Sequence, residues 1–342
     1  MKRTPGRRLR RSLLALIGAS SLVLAACGGD DAPASQEPAA TDSAAADPVR
    51  IAMVAPSAIN DLAFTQSMYD SLQRVAKNRD ITIDVSDGLF IVEDAGAAIR
   101  GYAEDGYDVV IAHGTQFGGP LSEIAPDFPG VSFLWGTSTD FQGLDNIYAY
   151  SVRSDEGGYV NGTIAAQITE SGVIGVVGPV EAGDAKLYVD GFVAGATAQD
   201  PSVTVNVNYI ESFSDVALAA EAATSHLASG ADVLTGTAQM VVGATGVAQA
   251  EGIPWFGTQS NQTPLGADIV VASQVYHWEV ILETILDQIA GGKLGGEVFE
   301  LTLANGGLEI EFNDAFGLDA DILAAAEQTV ADLTSGAAST GL

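Results

Sequence analysis

Residues 51–72 read IAMVAPSAINDLAFTQSMYDSL. The stretch opens with the apolar run Ile51-Ala52-Met53-Val54-Ala55, of the kind that makes a buried strand. Pro56-Ser57-Ala58-Ile59-Asn60 breaks that run. From Asp61 onward Leu62, Phe64, Met68 and Leu72 follow near-helical spacing, with Asn60 or Asp61 as the N-cap. The unit is strand, loop, helix. In an open α/β sheet, ligands sit beyond the carboxyl ends of the strands. Here that place carries Asn60, Asp61, Phe64, Thr65 and Gln66, one aromatic face beside several hydrogen-bonding groups.

The alternation recurs along the chain. Strands are predicted over 81–85, 108–112, 131–135 and 146–150, with helices between them. It restarts with a helix over 155–168, strands over 173–177, 203–210, 232–234, 254–257 and 269–273, and helices between most of these. A helix after Tyr276 carries the stripe Trp278, Ile281, Leu282, Ile285, Leu286 and Ile289, read as core packing. A late strand over 298–303 and a helix over 319–333 complete the pattern. Two βαβ arrays in series predict two lobes, each a mainly parallel sheet flanked by helices, with a cleft where their strand ends face each other. Residues 49–150 form the N-terminal lobe, completed by part of 274–304. Residues 151–273 form the C-terminal lobe, completed by part of 305–342.

Length and charge narrow the classes of function. The chain has 342 residues, 44 acidic and 14 basic, for a net charge of −30. Six of the basic residues lie within the first 11 positions, so a chain lacking the first 26 residues carries −36. A polyanion of this size repels phosphate backbones, which argues against nucleic-acid polymers as partners. The basic start leads into an apolar run from Leu13 to Ala26, too short to span a bilayer. Leu24-Ala25-Ala26-Cys27 resembles the bacterial lipobox, so residues 1–27 are read as a lipoprotein signal peptide and Cys27 as the lipidated residue. Arg10-Arg11-Ser12-Leu13-Leu14 also fits the start of a twin-arginine signal, which leaves the export route open. Residues 28–48, rich in Ala, Asp, Pro and Ser, are read as a disordered tether. Cys27 is the one cysteine in the sequence, which excludes an internal disulfide.

Catalytic motifs are missing from the sequence. It contains no GxSxG and no GxxxxGK[ST], and Gly291-Gly292-Lys293 lacks the first glycine of a P-loop. His113, His226 and His277 lie too far apart for zinc-type spacing. The expectation is therefore no enzyme, no cofactor and no metal. A binding site needs less: aromatic faces for a flat ring, and fixed donors and acceptors for its edges. Phe64, Phe117, Trp135, Tyr188 and Tyr276 occupy loops or helix starts near the expected cleft, and Thr115, Gln239 and Gln259 join them as polar candidates. For each aromatic taken alone, core packing is an equal reading. His113, at a strand end, is read as a structural histidine before a ligand contact.

At Asn60-Asp61-x-x-Phe64-x-Gln66-Ser67-x-Tyr69 the sequence resembles the basic membrane protein family, the purine-nucleoside-type substrate-binding lipoproteins of ABC importers. Further similar segments follow in order: Gly106-Tyr107-Asp108-Val109-Val110-Ile111, Glu156-Gly157-Gly158-Tyr159-Val160, Gly191-Phe192-x-x-Gly195-Ala196, Phe213-Ser214-Asp215 and Gly230-Ala231-Asp232-Val233. The resemblance covers about residues 50–310 and implies the two-lobed periplasmic-binding-protein type I fold, with a ligand stacked between aromatics. It places the family's loop Asp on Asp61, its stacking Phe on Phe64 and its second aromatic on Tyr188. Thr65 stands where the family has Asn, Gln259 where it has the ribose-binding Asp, and the family's lysine falls near Tyr276. An aspartate expected near Gly119 is also absent. These losses of charge point to a neutral ligand with fewer hydroxyls, a free nucleobase before a nucleoside. The implied role is a monomeric lipid-anchored carrier on the outer side of the bacterial cell membrane, whose partners are a small purine-type ligand and ABC permease subunits. The alternatives are a ligand sensor docking on a receptor, and a sugar or autoinducer carrier on the same fold.

Overall fold

The computed structural model describes residues 47–342. Cys27, the expected signal peptide and nearly all of the expected tether lie outside the described residues. The first half runs β1 (Val49–Val54), α1 (Phe64–Val75), β2 (Ile81–Ser86), α2 (Val92–Glu104), β3 (Val109–Ala112), α3 (Gly118–Ile124), β4 (Ser132–Gly136) and β5 (Ile147–Val152). The chain continues through α4 (Ser154–Ile168), β6 (Val173–Gly178), α5 (Gly183–Gln199), β7 (Thr204–Tyr209), α6 (Val216–Ala228), β8 (Val233–Gly236), α7 (Val241–Glu251), β9 (Trp255–Gln259) and β10 (Val270–Tyr276). It ends with α8 (Glu279–Ala290), β11 (Glu297–Leu301), β12 (Leu308–Phe312) and α9 (Ala320–Ser335).

Two six-stranded sheets result, in the orders β11-β5-β4-β3-β1-β2 and β12-β10-β9-β8-β6-β7. The first is parallel throughout. The second is parallel except where β12 runs antiparallel to β10. Helices cover the sheets, so the central strands β3, β8 and β9 are buried at every position. The outer strand β2 instead alternates between half-buried and exposed residues over most of its length. The last two strands split between the sheets, and β11 covers β5, which is therefore internal.

Three segments cross between the lobes: Val152 to Ser154, Tyr276 to Glu279, and Leu301 to Leu308. Hydrogen bonds lash them together. Arg153 N–H donates to the Leu301 carbonyl at 2.9 Å, His277 N–H to that of Gly307 at 2.9 Å, and Leu303 N–H to Glu156 Oε2 at 2.7 Å. In the second lobe α4 and α5 pack almost backbone to backbone. A Cβ at Gly162 would sit 2.1 Å from the Phe192 carbonyl oxygen, and one at Gly195 2.0 Å from that of Tyr159. That contact explains the small-residue spacing of both helices.

Candidate ligand-binding cleft

The loops that follow β1, β3 and β4 in one lobe face those that follow β6, β8 and β9 in the other. Pro56, Phe64, Gly114, Thr115 and Thr137 line the near side of the cleft, and Gly183, Asp184, Phe213, Gln239 and Gln259 the far side. Phe90, from the loop before α2, stands at the rim and is 42% exposed. The cavity has a volume of about 50 Å³. At that volume it holds about four waters. It is therefore a slot for a small molecule rather than a groove for a polymer. The lobes also touch directly: Ser260 Oγ donates to the Ala63 carbonyl at 2.8 Å, and Gln262 Nε2 to that of Leu62 at 3.2 Å.

Phe64 opens α1 and is 6% exposed. One ring face lies on the His113 imidazole, with centroids 3.8 Å apart and planes 6° from parallel. Trp278 meets Phe64 edge-on at 6.2 Å and His113 at 5.5 Å. Trp278 is itself fixed, its Nε1 donating to Ser67 Oγ at 2.8 Å and its backbone N–H to Ser71 Oγ at 3.1 Å. The Phe64 carbonyl can only accept, so the 3.1 Å contact assigns the proton to His113 Nε2. His113 Nδ1 then accepts from the Tyr150 hydroxyl at 2.7 Å. Burial holds the imidazole pKa down at about 3, so the ring is neutral at physiological pH. His113 is thus the structural histidine expected from the sequence, acting as a backing plate for Phe64.

The backbone at the slot is held in an uncommon conformation. Thr137, Ala238 and Gln259 have φ of 53°, 74° and 71°, a region that non-glycine side chains rarely occupy. Three of the six non-glycine residues with positive φ among the described residues therefore line one cleft, where strain is tolerated because the surroundings fix it. Thr115 and Thr137 brace one another: Thr115 Oγ1 donates to the Thr137 carbonyl at 2.7 Å and accepts from Thr137 Oγ1 at 2.6 Å.

Polar satisfaction fails on the opposite wall. Asp184 Oδ2, Gln239 Oε1 and Gln259 Oε1 are buried without a hydrogen-bond partner among the described residues. Each such group costs about 1–3 kcal/mol when left unpaired. Burial pushes the Asp184 carboxyl up to about 6. Asp184 is the one ionisable side chain of the lining among the described residues, and no lysine, arginine or histidine faces it there.

Of the residues expected at the site, the structure brings Phe64, Thr115, Gln239 and Gln259 together. The others lie outside the lining. Asn60 is exposed. Asp61 is committed to the start of α1: its Oδ1 accepts from the N–H groups of Ala63 and Gln66, and its Oδ2 from Thr65 N–H and Ser57 Oγ. Burial outweighs those hydrogen bonds and raises its pKa. Thr65 is buried against Ser57 Oγ at 2.7 Å, and Gln66 Oε1 accepts from Leu62 N–H at 2.9 Å. Phe117 is fully buried in the core of the first lobe. Trp135 covers Gly118, where a Cβ would lie 2.2 Å from its ring. Tyr188 and Tyr276 are both buried in the main apolar cluster, the Tyr188 hydroxyl bonded to Thr235 Oγ1 at 2.7 Å and Asn161 Nδ2 at 3.2 Å. Sequence reasoning did not select Asp184, Phe90, Phe213 or Thr137. Gly183-Asp184 after a strand reads as an ordinary helix start, which hid the carboxylate.

Among the described residues one group has the geometry of metal ligands, His277, Glu309 and Glu311, with ligand atoms within 4.8 Å of one another. Its members already bond to each other or to Asn261, and none lines the cleft. No described helix is long and apolar enough to cross a membrane.

Comparison with known proteins agrees with this geometry. A purine-binding protein of Brucella abortus is 29% identical over 54% of this chain and 52% of its own, so the match spans about half of that protein. The ABC transporter nucleoside-binding protein BmpA of Lactococcus lactis is 25% identical over 92% of this chain and 94% of its own. The transcriptional activator protein med of Bacillus subtilis is 24% identical over 72% and 77%. Among solved structures, a solute-binding protein from Conexibacter woesei superposes with a TM-score of 0.70 at 24% identity, covering 85% of this chain and 98% of that one. A periplasmic solute-binding protein from Actinobacillus succinogenes with bound D-allose gives 0.61 at 14% identity, over 78% and 98%. Both share the two-lobed fold. Residues 48–329 match the Bmp family, described as ABC transporter substrate-binding protein PnrA-like. The chain belongs to that family of ABC-transporter substrate-binding proteins.

Proposed function

We propose that this protein is a lipid-anchored carrier that captures a purine-type nucleobase or nucleoside between its lobes and delivers it to an ABC permease. The observation that carries this reading is Phe64, stacked on a neutral His113 on one side and lining the slot. A ring held on an aromatic face gains about 0.5–1.5 kcal/mol beyond its burial. A second aromatic, Phe213, lines the far lobe, and the amide of Gln259 stands where the resemblance places a ribose-binding carboxylate. That exchange favours the free base. Among the described residues the lining has no basic side chain, which disfavours phosphorylated ligands. The nucleoside- and purine-binding relatives support the same class.

Calorimetric titration with adenine, guanine, hypoxanthine and their nucleosides tests it. Binding of the bases without the nucleosides supports the full reading, and binding of the nucleosides alone removes the preference for free bases. A sensing role is the second reading, supported by the med relative. The soluble fold serves either role, and a permease and ATPase encoded beside the gene would favour transport.

A further inference from the structure

The strongest unassigned feature of the cleft is Asp184. It lies in the first turn of α5, held where the Ser154 hydroxyl of the first crossing segment donates to its carbonyl at 2.5 Å. The residue lines the slot, yet its Oδ2 contacts neither a protein donor nor solvent. Gln239 Oε1 and Gln259 Oε1, from two other loops of the same lobe, are likewise buried and unpartnered. Of the three, only the carboxylate is restricted to accepting. Among the described residues, no basic side chain of the lining compensates the carboxylate. An ionised carboxylate can only accept, so a ligand satisfies Asp184 by presenting N–H or O–H donors, while each glutamine amide can turn either its oxygen or its NH₂ toward the ligand.

We infer that Asp184 is a specificity-determining residue, and that it selects flat rings carrying an amino group beside a ring N–H, the donor pair of an amidine or guanidine edge. A carboxylate matches such an edge because its oxygens can accept two parallel N–H bonds, and hydrogen bonds to an ionised acceptor are about twice as strong as neutral ones. The inference rests on the purine reading above and narrows it. Among purines, guanine and guanosine present N1–H beside the 2-amino group. Hypoxanthine and inosine differ from them only in lacking that amino group. A site built around a buried acceptor rejects a ligand that leaves it unpaired.

The test is calorimetric titration of the protein with guanine against hypoxanthine, and guanosine against inosine, repeated with Asp184→Asn. The 2-amino compound should bind the unmodified protein at least about tenfold more tightly, the effect of one charge-assisted hydrogen bond. Asp184→Asn replaces one acceptor by a donor, so the preference should collapse or reverse toward hypoxanthine, whose N1–H and O6 complement an amide. Equal affinity for the two compounds in the unmodified protein would overturn the inference and needs no variant. An undiminished preference in a folded Asp184→Asn protein would also overturn it. Both outcomes leave the purine reading intact. Failure of every purine compound to bind would overturn that reading, and this inference with it.

Discussion

Replacing Phe64 separates its two roles. The ring is 6% exposed, stacked on His113 at 3.8 Å and met edge-on by Trp278, so Phe64→Ala empties a packed site and should cost about 3–5 kcal/mol of stability. That loss would confuse any binding measurement. Phe64→Leu keeps most of the volume and the main-chain acceptor for His113 Nε2, and should cost only about 1–2 kcal/mol. What it removes is the flat face. Losing one stacking partner, about 0.5–1.5 kcal/mol, raises the dissociation constant of a purine about two- to thirteenfold. The assay pairs calorimetry, using whichever purine binds best, with a thermal melt of each protein. An unchanged dissociation constant in a folded Phe64→Leu protein would refute the reasoning, because the aromatic floor would then contribute nothing to the grip.

Other outcomes follow from the same geometry. Asp184→Asn should stabilise the protein at pH 8. The carboxyl pKa is raised in the folded state, so ionisation penalises folding above about pH 6, and the gain should fade as pH falls toward 4; a variant less stable at pH 8 would contradict this. His113 works the other way in acid. Its folded pKa is near 3, so the unfolded chain alone takes up the proton below about 6.5, and this group lowers stability by about 1.4 kcal/mol per pH unit between those values. Urea melts from pH 7 to 4 would detect it, and flat stability across that range would contradict a buried neutral imidazole. Ser260→Ala removes the 2.8 Å bond to the Ala63 carbonyl, a net contribution of about 1 kcal/mol to lobe contact. Ligand affinity should fall about fivefold through faster release, and stopped-flow dissociation unchanged by the variant would remove that bond from closure. Gly162→Ala should destabilise by about 3 kcal/mol or more, since its Cβ meets a main-chain oxygen at 2.1 Å; denaturant unfolding reads it directly, and an unshifted midpoint would refute the close packing.

Much of this architecture was legible because central strands are continuous apolar runs and because α1 and α8 carry an apolar stripe at helical spacing, whereas α4 to α7 are rich in small residues with little periodicity. The element that escaped was β12, although Leu308, Ile310 and Phe312 alternate with Glu309 and Glu311 as an outer strand should. Its antiparallel pairing follows no βαβ rule. The site was legible where strand ends set it, at Phe64, Thr115, Gln239 and Gln259. It was not legible where the sequence could not tell a lining residue from a supporting one. Tyr188 and Tyr276 look like cleft aromatics by position, yet both are buried in the apolar cluster that joins the lobes, Tyr276 against Trp278, and neither lines the slot. Asp61 has the right chemistry for a ligand but has spent its oxygens on the first turn of α1. Asp184 was concealed by looking like any acidic residue in a helix's first turn, and only burial without a partner distinguishes it.

The most direct test of the central claim is mass spectrometry of the small molecule released on denaturing the protein as purified from its own cells. A purine-type heterocycle in near one-to-one amount, with an amino group beside a ring N–H, is the predicted result. A monosaccharide or a phosphorylated compound in that amount would contradict the account, the first because it has no flat aromatic ring to lie on Phe64, the second because its anion would meet Asp184 and none of the lining's described residues is basic.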